Sequence, residues 1–162
     1  MNTGQMLLSL GALIFLSTIV LRFNRAVLTS DEVMYNSKFN VLAASLCTSL
    51  IEEARGKAFD QETDSAAITK VDQLSTNLGP DFGETYETFN DFDDFNGFVK
   101  VDSTMPSAVF YVTSKVSYVE ANNILNILTK RSWHKMITVT VMSSSMKDPV
   151  QMSSTFSYWY FR

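Results

Sequence analysis

Residues 1–25 read MNTGQMLLSLGALIFLSTIVLRFNR, an apolar run with no Lys or Arg before it and with Arg22 and Arg25 directly after it. Between Met6 and Leu21 there is no charge. The polar side chains in that span are Ser9, Ser17 and Thr18, whose hydroxyls can bond back to carbonyls of their own helix. The run is roughly 16 residues long, a little short of the ~20 that comfortably cross a bilayer. With Phe23 and a snorkelling Arg22 it spans at slight mismatch. A secretory signal peptide would show a basic start and a small-residue cleavage site after the apolar core, and neither is present here. By the positive-inside tendency, the two arginines favour leaving the following domain in the cytoplasm.

The chain downstream extends the same element. From Gln5 to about Arg55 there is no proline, Gly11 is the one interior glycine, and Tyr35, Phe39, Leu42, Leu46, Leu50 and Ala54 recur at steps of three and four. The spacing predicts one continuous helix, about 75 Å long at ~1.5 Å per residue, which is far beyond the usual three turns. Gly56 is the expected stop, with Arg55 and Lys57 where the negative end of the helix dipole favours cations. The second half is amphipathic and expected to lie on a sheet, whereas the first half has no partner within its own chain. The expected division is therefore a long helix over residues 1–56, with 6–21 as its membrane or filament-core segment, and a β-rich head over residues 57–162.

The head opens with a polar, acidic and aromatic stretch, residues 60–98, in which NLGPDFGETYETFNDFDDFNGF (77–98) supplies Gly-Pro, Asp-Phe-Gly and Asn-Gly turn signals. A long irregular connection is expected there. AVFYVTSKVSYVEA (108–121), KMITVTVMSSS (135–145) and VQMSSTFSYWYF (150–161) then read as strands, rich in β-branched and aromatic residues. In the first of them Val109, Tyr111, Thr113 and Lys115 alternate with Phe110, Val112, Ser114 and Val116. Lys147-Asp148-Pro149 is the turn between the last two. With a short segment near Phe98–Val101, the expectation is an antiparallel sheet of about four strands, one face of which receives the amphipathic half-helix. The fold class is therefore α+β. NNILNILTKRSW (122–133) stays open between a helical turn and a loop.

This layout resembles the type IV pilin and type II secretion pseudopilin superfamily. The likeness lies in the short pre-segment ending in Gly4, the uncharged helix from Gln5 onward, and NVLAASLCTSLIEEARGKAFD (40–60), which is similar to the end of the first helix in minor pilins and pseudopilins. The resemblance covers about the first 60 residues by pattern and the remainder by architecture. It implies a structural subunit of a pilus-like filament that waits in the inner membrane and then assembles with copies of itself, or with other pilin-like subunits, into an extracellular or cell-surface filament. The assembly residues it points to are Met6, Leu7, Leu10, Gly11, Leu13, Ile14, Leu16, Ser17, Val20 and Leu21, and the processing site Gly4–Gln5. Two departures are visible. MNT lacks the family's basic leader, and the position of the usual glutamate falls on Ser9 if cleavage follows Gly4, or on Gln5 if there is no cleavage. A single-span anchored envelope protein whose head binds another protein is the alternative.

Composition narrows the remaining classes. A net charge of -4 with pI near 4.9, and no basic stripe, exclude the electrostatic footprint of a nucleic-acid binder. The single Cys47 permits no internal disulfide and reads as a small buried hydrophobe on the helix. His134, the one histidine, reads as a surface or turn residue at a strand start. No P-loop, GxSxG, HExxH or CxxC motif is present, and Cys47 and His134 share no context that would pair nucleophile with base, so the expectation is not an enzyme. Asp91, Asp93, Asp94 and Asn96, ahead of Gly97, are oxygen donors of the kind calcium takes, and the resemblance adds weight because some pseudopilins hold calcium in a head loop. Their spacing fails the EF-hand pattern. The favoured reading is an aspartate-rich turn over Phe89, Phe92, Phe95 and Phe98, with no cofactor. Arg22 and Arg25 are candidates for intersubunit pairs with Asp31 and Glu32, which lie about 9–10 Å further along the helix from Arg25, the offset a staggered neighbour would bridge.

Overall fold

The structure, a computed structural model, describes residues 2–158. Residues 159–161 of the last expected strand segment lie outside the described residues. Two compact units divide the chain, residues 1–38 and residues 39–162. Helix α1 (Thr3–Arg55) runs through the first and continues into the second. It ends at Gly56, whose N–H still reaches Glu52 O at 3.1 Å.

In the second unit α1 is followed by a short helix α2 (Gln61–Ser65), three single 3₁₀ turns, and strands β1 (Val99–Asp102), β2 (Phe110–Glu120), β3 (Asn123–Leu128), β4 (His134–Met142) and β5 (Val150–Ser157). The sheet is wholly antiparallel, in the order β1-β2-β4-β5, with β3 also paired to β2. β4 takes Tyr111 to Tyr118 along one edge of β2. On the opposite edge β1 pairs with Phe110 to Thr113 and β3 with Tyr118 to Glu120. The gap between them is closed by the loop ahead of β1. Gly97 N–H donates to Ser114 O, Ser114 N–H to Phe98 O, and Val116 N–H to Asn96 Oδ1, each at 3.0 Å. A central strand would otherwise bury unpaired amides there, at a cost of about 1–3 kcal/mol each. Gly97 supplies the φ of +78° that this turn requires.

The α+β class stands as expected, with two differences of detail. The sheet has five strands, because residues 123–128, left open between helical turn and loop, form β3. It is an edge strand exposed on both faces, with Leu125 82% exposed, so no period-two pattern marks it in the sequence. The helical stripe is also shifted. Phe39, Leu50 and Ala54 are buried, Leu42 and Leu46 are half-buried, and Tyr35 is exposed, while Ala43 and Cys47 lie at the centre of the contact, fully covered. Small residues at the centre let the helix approach the sheet, and the larger ones fill the flanks. Against them β2 sets Phe110, Val112 and Val116, β4 sets Ile137, Val139 and Val141, and β5 sets Phe156. The alternation expected in residues 109–116 holds, with Phe110, Val112, Ser114 and Val116 on the covered face.

Candidate functional site

The first candidate is the apolar helix. Every side chain from Met6 to Leu21 is exposed, including all ten of the proposed assembly residues. Its polar groups are quenched within the helix: Ser9 Oγ donates to Met6 O at 3.0 Å, Ser17 Oγ to Leu13 O at 2.8 Å and Thr18 Oγ1 to Phe15 O at 2.7 Å. That is how a hydroxyl becomes tolerable in hydrocarbon. A side chain added at Gly4 or Gly11 would meet nothing, so both positions are open to a neighbouring backbone. Gly4 and Gln5 lie within the first turns of α1. Arg22, Arg25, Asp31 and Glu32 are exposed and make no ion pair among the described residues.

The second candidate was not legible as such in the sequence. Asp60, directly after Phe59, caps α2: its Oδ1 accepts from Glu62 N at 3.3 Å, and its own N–H donates to Thr63 Oγ1 at 2.9 Å. The same carboxylate accepts from Ser75 N and Ser75 Oγ at 3.1 and 2.9 Å. Lys135, fully buried on β4, donates to Phe59 O and Asp60 Oδ2 at 2.8 Å each, and also to Asp93. All three ammonium protons are therefore used, and the Phe59 and Tyr118 rings flank the charge at 4.7 and 5.4 Å. The Tyr118 hydroxyl lies 2.8 Å from Ser75 O and 3.3 Å from Asp60 Oδ2. The charged groups are nearly or wholly out of solvent, a situation tolerated only when ions are paired and bonded.

The residues singled out for calcium form the rim of this network. Asp91 Oδ1 accepts from Asp93 N and Asp94 N at 2.8 and 3.2 Å, and Asp94 Oδ2 from Asn90 N and Asp91 N at 2.9 and 3.1 Å. Asn96 ties Leu78 O to the β2 edge. Their oxygens hold together the turn around the 3₁₀ segment Asp93–Phe95, and among the described residues no group of three His, Cys, Asp or Glu is arranged to hold a metal ion. Phe89, Phe92 and Phe95 are buried beneath, with Phe98 half-buried beside them.

Burial and neighbours pull the carboxyls apart. Burial pushes Asp91 up, and the adjoining Asp93 and Asp94 push it further, to about 8, so it holds a proton at neutral pH. Burial also raises Asp93, against the opposing pull of Lys135. Burial acts on Asp60 in the same sense, but Lys135 and the Ser75 donors outweigh it and hold Asp60 below its ordinary value. Elsewhere, burial pushes the Cys47 thiol up; its sulfur lies 3.8 Å from both Val139 O and Val150 O, a packed position. His134 opens β4 half-buried, with Nδ1 2.6 Å from Ser157 Oγ. Glu53, near the end of α1, accepts from Tyr86 Oη at 2.5 Å.

The fold and site define a class: an α+β chain with a long apolar N-terminal helix that fits a membrane anchor, followed by a head with a fully buried lysine-carboxylate network. No family model matches the chain, and neither the curated proteins nor the solved structures provide a match.

Proposed function

We propose that this chain is a structural subunit of a pilus-like filament, a pilin or pseudopilin in kind, that assembles through residues 6–21. The observation that carries the reading is a wholly exposed, uncharged apolar segment continuous with a helix whose later residues enter the core of the second unit. In lipid such a segment is already solvated, so association rests on close packing rather than on escape from water. Ser9, Gly11, Ala12 and Ser17 are the small residues that permit close approach, and the two serine hydroxyls are already satisfied. The subunit waits in the inner membrane and then leaves it for a cell-surface filament of its own copies or of other pilin-like subunits. Arg25 pairs there with Asp31 or Glu32 of a staggered neighbour, and the role is structural rather than enzymatic.

Association of the full-length chain in mild detergent, followed by sedimentation, tests this. Concentration-dependent oligomers that G11L disrupts are expected, and a monomer at every concentration contradicts it. The alternative, a single-span anchored protein whose head binds another envelope protein, is favoured by the neutral Gln5 and Ser9 where the pilin pattern carries glutamate. It requires the same helix to remain in the bilayer.

A further inference from the structure

The buried network brings a lysine amine and two carboxyls together out of solvent. We propose that Lys135 and Asp60 join in an intramolecular isopeptide bond, with Asp93 as the proton carrier. This inference concerns the head alone and does not rest on the filament reading.

Three features of the geometry support the step. Lys135 Nζ is held 2.8 Å from Asp60 Oδ2, so the amine and the carboxyl already share one buried site, the kind of proximity from which intramolecular reactions gain effective molarities of ~10⁵–10⁸ M once nitrogen and Cγ align. Asp60 Oδ1 is surrounded by donors, Ser75 N at 3.1 Å, Ser75 Oγ at 2.9 Å and Glu62 N at 3.3 Å, which polarise the carbonyl and hold the oxyanion that forms on attack. Asp93 touches the same Nζ, so it is placed to take a proton from the ammonium, which in the proposed step it then returns to Asp60 Oδ2. The protonated Asp91 beside Asp93 keeps a second negative charge from building up around the reacting pair. The Phe59 and Tyr118 rings flank Lys135 Nζ, and Lys135 and Asp60 have no exposed surface, which keeps water from reversing the reaction.

The balance is that of a condensation. The amine nitrogen forms a bond to Asp60 Cγ, the Cγ–Oδ2 bond breaks, two of the ammonium's three protons leave with Oδ2 as water, and the third stays on the amide. Asp93 ends as it began. The positive and negative charge of the pair vanish together, which removes the desolvation penalty of a buried ion pair without altering the net charge of the core. The new bond ties α2's cap to β4 and closes a loop between residues 75 apart in sequence.

Peptide mapping of the denatured full-length chain by tandem mass spectrometry tests the proposal. The expected result is a branched peptide joining the segments that carry Asp60 and Lys135, lighter than their sum by one water. K135R and D93N should both give only linear peptides, with circular dichroism used to confirm that D93N retains its sheet. Linear peptides of full mass from the folded wild-type chain would overturn the proposal, and so would a lost water located within the Asp60 peptide alone. A D93N chain cross-linked as completely as wild type would overturn the role given to Asp93.

Discussion

Residues 6–21 and residues 39–54 lie on one helix and are both rich in apolar side chains, yet the first set is exposed throughout while the second supplies six buried residues to the head. Charges outside these two stretches divide the same way. Arg22, Arg25, Asp31 and Glu32 are exposed without an ion pair among the described residues, whereas Lys135, Asp60 and Asp93 are buried and bonded to one another. The contrast separates an exposed apolar surface, compatible with a membrane anchor, from a core completed within the head. Inside the head, sheet, loop and helix meet the side chains within a single chain. In the apolar segment no described residue covers the side chains, and the filament reading supplies their complement from lipid or from a neighbouring copy.

The strongest way to sharpen that contrast is to remove the buried cation. Relative to the head with Lys135 and Asp60 still an ion pair, K135M leaves Asp60 and Asp93 in the core without their partner, and breaking a buried pair in this way costs about 3–5 kcal/mol. Denaturant titration of the head's tertiary signal should show a loss of that size, whereas L13A in the apolar segment should leave the same transition unmoved. Next in size is the centre of the helix-sheet contact. C47L or A43L forces extra volume against β4 and β5 and should cost about 1–3 kcal/mol in the same titration.

The pH dependence of stability follows from the two carboxyls with opposite shifts. Asp91 is raised in the folded head, so its proton stabilises the fold fully below the unfolded carboxyl value, and that contribution is lost as pH rises towards about 8. While it remains a free carboxylate, Asp60 is lowered, so its contribution is present above the unfolded value and is lost as pH falls through its folded one. D91N copies the protonated form, and thermal melts between about pH 5 and 8.5 should show a flatter decline than wild type. An identical decline would show that Asp91 is not the group that titrates. A smaller effect is expected from Y86F, which removes the bond to Glu53 at a cost of about 0.5–1.5 kcal/mol, again read by denaturant. Smallest is R25E, which should leave the head's stability unchanged and weaken association of the full chain in low salt, and less so in high salt, as screening requires. Intact association in low salt would remove the proposed charge pairs.

What was legible in the sequence follows periodicity. The long helix announced itself by the absence of proline and by steps of three and four, β2 and β4 by alternation against one covered face, and β5 by its β-branched and aromatic residues. β3 escaped because an exposed edge strand has no face to alternate against. The aspartates at 91, 93 and 94 read as an aspartate-rich turn over the phenylalanines, with no sign of what pairs them. They are buried because Asp91 and Asp94 accept backbone amides and Asp93 faces Lys135, a partner some forty residues on. One signal for that partner was present in HKMITVTVM (134–142). Lys135 shares the period-two register of Ile137, Val139 and Val141, which places a charge on the buried face and requires a buried counter-ion. Which carboxylates answer it is a matter of loop conformation, set by the capping of α2 and the turn before Gly97, and strand periodicity carries no information about either.

The most direct test of the filament reading is to shear the surface of cells that make this chain, clear the cells, and image the released material by electron microscopy with an antibody against the head. Filaments labelled along their length, containing the chain by mass spectrometry, are the predicted result. Recovery of the chain only in the membrane fraction, with no labelled filament, would contradict it and establish an anchored head instead.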